Sequence, residues 1–343
     1  MYKHLQRWTR ISLFLIYLVI AAGATVRMTG SGMGCPDWPK CFGYYIPPTH
    51  AEQLAWKPET KYKKGNVIID SEGLLVAKQG FTSSEKLNPS FWEPYTKHDY
   101  ALFDATHTWI EFVNRLLGAL SGLAILILFG YSIKWIRKKP IIFIFALLSL
   151  LGIIFQAWLG KTVVDSNLLP LKISLHMLMA LLLVGFLLVV RVASKSFGLT
   201  KLPSRNFRTL LFTSFILTLI QIGLGIQVRQ FIDTQIDRWG YELPQFWLAT
   251  PEVGFYTHRS LSILVVVLNG IVLLRVLYEK IERVFIYRIL GLVGLEIMLG
   301  IAMYYFDFPF ATQPLHLLAA TILFGVQLYW ILRIYLHRYD LSL

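Results

Sequence analysis

Four of the eight histidines in this chain stand in or at the ends of long apolar segments, at His107, His176, His258 and His316. An imidazole within a membrane either hydrogen-bonds to a neighbouring helix or acts as a ligand. Imidazoles from facing helices of a bundle are the usual way to hold a haem iron from both sides. The sequence therefore raises the hypothesis of a haem iron held between His258 and His316, with helix-to-helix hydrogen bonding as the alternative.

Four arginines accompany these histidines, at Arg27, Arg115, Arg229 and Arg259. Each falls near the expected outer end of an apolar segment. Arginine binds carboxylates through charge-assisted, often bidentate hydrogen bonds, so these side chains are candidates for binding the propionates of a haem. The simpler alternative is that the arginines extend to lipid headgroups.

The segment "HTWIEFVNRLLGAL" places several polar groups at the start of an apolar helix. His107, Glu111, Asn114, Arg115 and Gly118 share one helical face. Ionisable groups are costly in hydrocarbon and usually mark a site. Glu111 is the candidate catalytic residue, since a carboxylate near apolar surface can transfer protons. The alternative is an ion pair between Glu111 and Arg115.

The elements that position these residues are predicted to be membrane helices. The chain has 343 residues, of which 55% are hydrophobic and 15% charged. Apolar stretches of sufficient length to span a bilayer predict an all-α membrane protein with eight spans. They lie at roughly 11–30, 105–131, 141–160, 171–193, 207–230, 254–278, 284–304 and 313–334.

The net charge of +13 has a topological explanation. Basic residues occur in five groups that all fall on one side of an eight-span arrangement, which makes that side and both termini cytoplasmic. This distribution argues against nucleic-acid binding and indicates a bilayer as the environment. The first span lacks a small-residue cleavage site and is expected to be retained. No acid-free transit peptide precedes it, which favours a bacterial plasma membrane.

An internal repeat divides the apolar segments. Gly160 and His176 are separated by 16 positions, as are Gly300 and His316. "GATVR" also resembles "GIQVR". The chain is therefore predicted to form two four-helix bundles in parallel orientation, residues 1–200 and residues 201–343.

The two halves differ at one position. "VNRLLG" aligns with "THRSLS", so that Asn114 stands where His258 stands in the second half. Asparagine is a poor iron ligand, and a first-half site that relies on His176 is expected to be less tightly ligated. Such a site suits a group that is exchanged.

The two cysteines, Cys35 and Cys41, lie in "GCPDWPKCFG" just after the first span. Outside the cytoplasm, such a pair predicts a disulfide, either as a staple for the loop or as a redox-active pair. A metal site is a weaker interpretation, because no other cysteine accompanies them. They begin a long outer segment, residues 35–104, part of which is expected to fold as a cap.

The segment "GATVRMTGSGMGCPDWPKCFGYYIPP" resembles the first span and outer loop of the haem A synthase family, in the subfamily with two loop cysteines. "IEFVNR" resembles the family's Glu-x-x-His-Arg motif, "THR" its second-half counterpart, and His176 and His316 its other two ligands. The matching positions of the first motif are Gly23, Arg27, Thr29, Ser31, Gly32, Trp38, Gly43, Pro47 and Pro48.

The resemblance implies a function for each half. The second half would bind haem b as an electron-transfer cofactor between His258 and His316, near Arg229 and Arg259. The first half would receive haem O near the outer face and oxidise its C8 methyl group to a formyl group, giving haem A for cytochrome oxidase. Glu111 would be the catalytic carboxylate. Partners would be an electron-transfer protein and the haem O synthase that supplies the substrate.

The resemblance also implies a first-half site formed by His176 with Arg27 and Arg115, but Asn114 replaces the family's histidine there. Either His107, two turns away, supplies a ligand, or His176 holds the substrate iron alone and leaves an open face. Two other functions fit the same residues. A di-haem b cytochrome would relay electrons to or from quinone, and a transporter would bind no haem.

Overall fold

The computed structural model describes residues 2–35, 37–70, 73–95, 103–195 and 202–340, with side chains as far as residue 336. Within these ranges eight helices are long and apolar enough to cross a membrane, as the sequence predicts. They are α1 (Tyr2–Met28), α2 (Ala105–Ser132), α3 (Pro140–Asp165), α4 (Pro170–Ala193), α5 (Arg205–Trp239), α6 (Val253–Glu279), α7 (Val284–Tyr305) and α8 (Thr312–Asp340).

Local sequence signals set several of the helix ends. Helices α3 and α4 begin at Pro140 and Pro170, because proline suits the first helical position, where its missing N–H has no intrahelical partner. Helix α5 is capped by Ser204, whose hydroxyl accepts a hydrogen bond from the Phe207 amide. It continues to Trp239, nine residues beyond the predicted end of span five at residue 230, so the polar segment after Arg229 is helical as well.

Contacts divide the chain into two compact units, which we describe separately. The helical unit comprises Met1–Ala21, Leu120–Ile154 and Met177–Leu343, and the loop unit comprises Ala22–Ala119 and Phe155–His176. The division into halves at residue 200 stays a prediction. The helical unit has one large apolar core, with fully buried side chains that include Leu5, Ile125, Val272 and Ile286.

A polar cluster lies within this apolar core. Ser214, Asn269 and Gln327, on α5, α6 and α8, are at most 1% exposed. The Ser214 hydroxyl lies 3.0 Å from Asn269 Oδ1 and accepts a hydrogen bond from Gln327 Nε2 at 3.2 Å. Because hydrocarbon offers no alternative partners, such contacts hold membrane helices in register.

The loop unit contains short antiparallel sheets. Strand β1 (Lys61–Tyr62) pairs with β4 (Phe81–Thr82), and β3 (Gly73–Ala77) pairs with both β2 (Val67–Asp70) and β5 (Trp92–Pro94). Ile68, Ala77 and Trp92 are buried with Tyr62 in a small core. The described part of the predicted outer segment is thus folded, and the all-α expectation omitted these strands because none exceeds five residues. Residues 36, 71, 72 and 96–102 of that segment lie outside the described residues.

We expect Asn269→Leu to lower the midpoint of thermal unfolding in detergent, because it removes the partner of Ser214 in an apolar core. The expected loss in unfolding free energy is about 1 kcal/mol, typical of one interhelical hydrogen bond in a membrane protein. Leu274→Ala is the control, since Leu274 lies on the same helix and is 65% exposed. A midpoint for Asn269→Leu equal to or above that of the unaltered protein would contradict the role of the cluster.

Candidate functional site

Two histidine rings lie together in the helical unit. The ring centres of His258 on α6 and His316 on α8 are 6.4 Å apart, with their planes inclined at 77°. Two imidazoles that share one first-row metal at roughly 2 Å per metal–nitrogen bond have ring centres about 6 Å apart. Among the described residues no group of three or more His, Cys, Asp or Glu side chains is suitable for a metal ion. The spacing of the two rings therefore fits a single metal ion held between them.

Glycines on the preceding helices make room for the imidazoles of His258 and His176. A Cβ added at Gly225 on α5 would lie 3.2 Å from Cε1 of His258. In the loop unit, a Cβ added at Gly160 on α3 would lie 3.3 Å from Cε1 of His176. Both distances are tighter than ordinary van der Waals contact, so any other residue at these positions would displace the ring. The sequence repeat includes both glycines, but it does not indicate that they make room for a histidine ring.

Several helix glycines have open space beside them. An added Cβ at Gly118, Gly122 or Gly223 would meet no heavy atom within 4 Å. A shallow, open groove of about 600 Å³ lies along the outer face of α6. Its lining residues are Val253, Tyr256, Thr257, Ser260, Leu261 and Leu264.

A carboxylate approaches one of the two rings. Glu296 Oε2 on α7 lies 3.0 Å from Nδ1 of His316. The contact is close but is not aligned as a hydrogen bond. Glu296 stands four positions before Gly300, as Gln156 stands four positions before Gly160. Its proximity to His316 could not be read from the sequence, because the two residues are on different helices.

The first-half residues lie in the loop unit. Asn114 has a buried Oδ1 atom without a hydrogen-bond partner, 3.8 Å from a Cβ added at Gly23. His176 has a buried Nδ1 atom that is also without a partner. Unsatisfied buried polar atoms of this kind call for an explanation, and a bound ligand is one. His107, in contrast, is exposed in the first turn of α2, where its amide donates to Asp104.

Glu111 and Arg115 bind the outer loop to α2. The Glu111 carboxylate accepts a hydrogen bond from the Cys35 amide at 2.8 Å and forms an ion pair with Arg115. The Arg115 guanidinium also donates to the carbonyl oxygens of Cys35, Asp37 and Lys40, at 2.8, 2.8 and 3.1 Å. The propionate-binding role of Arg115 stays a prediction, and in the structure its donors are engaged by the loop.

The predicted disulfide between Cys35 and Cys41 is present, and both cysteines are buried. Asp37, between them, accepts hydrogen bonds from the amides of Phe42 and Gly43 at 2.6 and 2.8 Å. Burial raises the pKa of the Asp37 carboxyl above its ordinary value, and these two amides act in the opposite direction. Sequence reasoning missed Asp37, for which the motif gave no signal beyond its place between the cysteines.

The remaining arginines have partners of different kinds. Arg229 on α5 forms an ion pair with Asp233 one turn later, at 2.9 Å. The Arg259 guanidinium lies over the ring of Tyr304, 5.4 Å from its centre. Arg27 is in the last turn of α1. All three stay predicted propionate ligands.

Comparison with known proteins assigns the chain to a family. A family model described as COX15-CtaA, cytochrome oxidase assembly protein, matches residues 6–71 and 89–328. The chain is 23% identical over 354 positions to a heme A synthase of Rickettsia africae, covering 94% of this chain and 95% of that protein. It is 25% identical over 351 positions to a heme A synthase of Ehrlichia ruminantium, covering 94% and 90%. A heme A synthase of Shewanella oneidensis is 26% identical over 220 positions, covering 63% and 54%.

We expect Arg115→Gln to make the buried disulfide more accessible to a water-soluble phosphine, because the loop loses its main contacts with α2. Loss of even one charge-assisted hydrogen bond, worth roughly 1.5–3 kcal/mol, raises the open population at least about tenfold. Reduction is followed by thiol alkylation and gel shift. Lys161→Gln, which removes the exposed ion pair with Asp165 in the same unit, is the control. Equal reduction rates in both variants would refute the anchoring role.

Proposed function

The chain belongs to the COX15-CtaA family of cytochrome oxidase assembly proteins, and from that premise we propose that it is a haem A synthase. As such it is an oxidoreductase that converts the C8 methyl group of haem O to a formyl group and thereby produces haem A for cytochrome oxidase. Its relatives of matching length carry that name.

The observation that carries the proposal is the 6.4 Å spacing of the His258 and His316 rings. These residues fit a haem as axial ligands, since each imidazole comes from a separate helix and Gly225 leaves room for one of the rings. We assign haem b to this position. When bound, it supplies one-electron transfer, and the chain contributes the two ligands and an apolar surrounding.

The substrate site is proposed for the first half, with His176 as the ligand of the haem O iron. Asn114 stands in the first half where His258 stands in the second. Its unpartnered Oδ1 atom supports a location beside the substrate. Asparagine is a poor ligand, so it leaves the substrate loosely held and able to depart as product. His107 is the less favoured alternative ligand, because seven residues of helix place it about 10 Å further along α2 than Asn114.

Glu111 is the proposed catalytic carboxylate. It is 4% exposed, and its two oxygens are held in place by the Cys35 amide and the Arg115 guanidinium. A carboxylate fixed in this way is oriented to accept protons that are released as the methyl group is oxidised. The disulfide loop would then serve to hold the catalytic group and exclude water from it.

The arginines complete the two sites. We assign Arg229 and Arg259 to the propionates of the haem b and Arg27 and Arg115 to those of the substrate. Each carboxylate would join contacts that these arginines already make, such as the one between Arg259 and Tyr304.

The location and partners follow from the predicted topology. Both termini are assigned to the cytoplasm, and both haem sites to the outer side of a bacterial plasma membrane. The two bundles, residues 1–200 and 201–343, correspond to the substrate and cofactor halves. A haem O synthase is the proposed donor of the substrate, and a separate redox protein is the proposed electron-transfer partner.

We expect His258→Ala and His316→Ala each to remove the tightly bound haem, because each substitution deletes one axial ligand. Haem content is measured as pyridine haemochrome in the purified protein. His50→Ala is the control, since His50 lies on the exposed surface of the loop. An unchanged haem spectrum in both ligand variants would exclude the second-half site, and a colourless unaltered protein would favour a transporter.

We expect Glu111→Gln to reduce haem A formation at least about 100-fold, which is the lower range for loss of a general acid or base. Haem b stays bound, because Glu111 lies in the other half of the repeat. Extracted haems are separated by chromatography after co-expression with a haem O synthase. Glu85→Gln, in an exposed part of the loop, is the control.

The disulfide accessibility assay separates chemistry from structure in this variant. If Glu111→Gln leaves the disulfide protected but abolishes haem A, the carboxylate acts chemically. Normal haem A output would contradict its catalytic role, and haem b alone at both sites of the unaltered protein would favour a di-haem electron relay.

A further inference from the structure

A polar residue four positions before a helix glycine contacts the histidine of the next helix in three places. In two of them this residue is a glutamine. Gln156 Nε2 donates a hydrogen bond to the backbone carbonyl of His176 at 2.9 Å, and Gln221 Nε2 donates to the backbone carbonyl of His258 at 2.8 Å. In both cases the histidine Nδ1 atom is buried and has no hydrogen-bond partner, and the same is true of Nδ1 of His316.

The third place differs in chemistry. Glu296 stands four positions before Gly300. Its side chain has no N–H group, and an ionised carboxylate cannot donate to a carbonyl oxygen. Its Oε2 atom instead lies 3.0 Å from the ring nitrogen Nδ1 of His316. The substitution of glutamate for glutamine thus transfers the contact from the backbone to the imidazole.

A contact at Nδ1 determines what the opposite side of the ring can do. A neutral imidazole carries one proton, on either Nδ1 or Nε2. A carboxylate beside Nδ1 favours the tautomer with the proton there, which leaves the Nε2 lone pair free for a metal. It also makes the ring a stronger electron donor, and stronger donation stabilises the oxidised form of a bound iron.

We propose that Glu296 is a positioning residue that fixes the orientation and tautomer of His316 and lowers the reduction potential of the iron which His316 binds. The proposal rests on the proposed function, in which His316 is an axial ligand. His316 differs in this respect from His176 and His258. Among the described residues, it is the only one of the three with a carboxylate beside its ring. The haem held by His316 is then a weaker oxidant than it would be with glutamine at position 296.

The test uses Glu296→Gln, which gives this helix the same residue that Gln156 and Gln221 provide elsewhere in the chain. The reduction potential of the copurified haem is measured by spectroelectrochemical titration of its α band. We expect the potential to rise in Glu296→Gln. Glu282→Gln is the charge-matched control, because Glu282 pairs with Arg333 at 3.2 Å and lies 14 positions earlier in the chain than Glu296. We expect the reduction potential of the haem to be unchanged in this control variant.

A second pair of measurements covers loss of haem from the variant. Substitution of such outer partners typically weakens metal binding by about 10–100-fold, so apoprotein is also titrated with iron protoporphyrin IX. Glu296→Asp, which keeps the carboxylate, is expected to restore affinity relative to Glu296→Gln. Equal affinity of the two variants together with an unchanged potential in Glu296→Gln would overturn the proposal.

The outcomes also separate this proposal from the proposed function. If His316→Ala retains haem with an unaltered spectrum, the ligand assignment itself fails and the role of Glu296 fails with it. If His316→Ala loses haem, but Glu296→Gln has the potential of the unaltered protein and the same haem affinity as Glu296→Asp, only the role of Glu296 is overturned.

Discussion

Polar groups inside apolar helices must find partners, and this constraint accounts for most of the contacts described above. The hydroxyl of Ser214 is hydrogen-bonded to the side-chain amides of Asn269 and Gln327 within the core of the helical unit. Glu111 and Arg115 satisfy each other and the backbone of the outer loop. Where a buried polar atom lacks a partner, as at Oδ1 of Asn114, a bound group can provide one.

The difference between the two halves is a difference in ligand chemistry on one repeated framework. In the second half two imidazoles are near each other and one of them is approached by a carboxylate. In the first half an amide replaces one imidazole, and glutamine replaces the carboxylate. Fewer and weaker iron ligands suit a group that enters and leaves, whereas a retained cofactor needs two. In the proposed assignment, corresponding helices of the two halves would hold a permanent redox centre at one site and a substrate at the other.

The eight spans were predictable because hydrophobicity along each helix is strong and continuous. The disulfide was predictable because two close cysteines in a segment predicted to lie outside the cytoplasm suffice to indicate one. The sheets of the loop unit were not, since strands of two to five residues leave too short a pattern among prolines and charges. The ion pair of Arg115 with Glu111 was one of the alternatives read from the sequence, but the backbone partners of Arg115 escaped prediction. Its residue type suited a propionate, and only the folded loop shows that three carbonyl oxygens occupy its donors. Contacts between distant positions, such as Glu296 with His316, depend on helix rotation that hydrophobic periodicity does not define finely enough.

The anchoring of the loop on α2 has a consequence for biosynthesis. The Cys35 backbone precedes Glu111 by 76 positions and Arg115 by 80, so a ribosome delivers the loop well before the helix on which it docks. In the predicted topology, the acceptors for the guanidinium have thus already been exported when the charged turn of α2 arrives at the insertion machinery. During membrane integration, the Arg115 guanidinium of α2 can replace its hydrogen bonds to water with hydrogen bonds to those carbonyl oxygens. The energetic barrier to placing this charged side chain near the bilayer surface is correspondingly reduced.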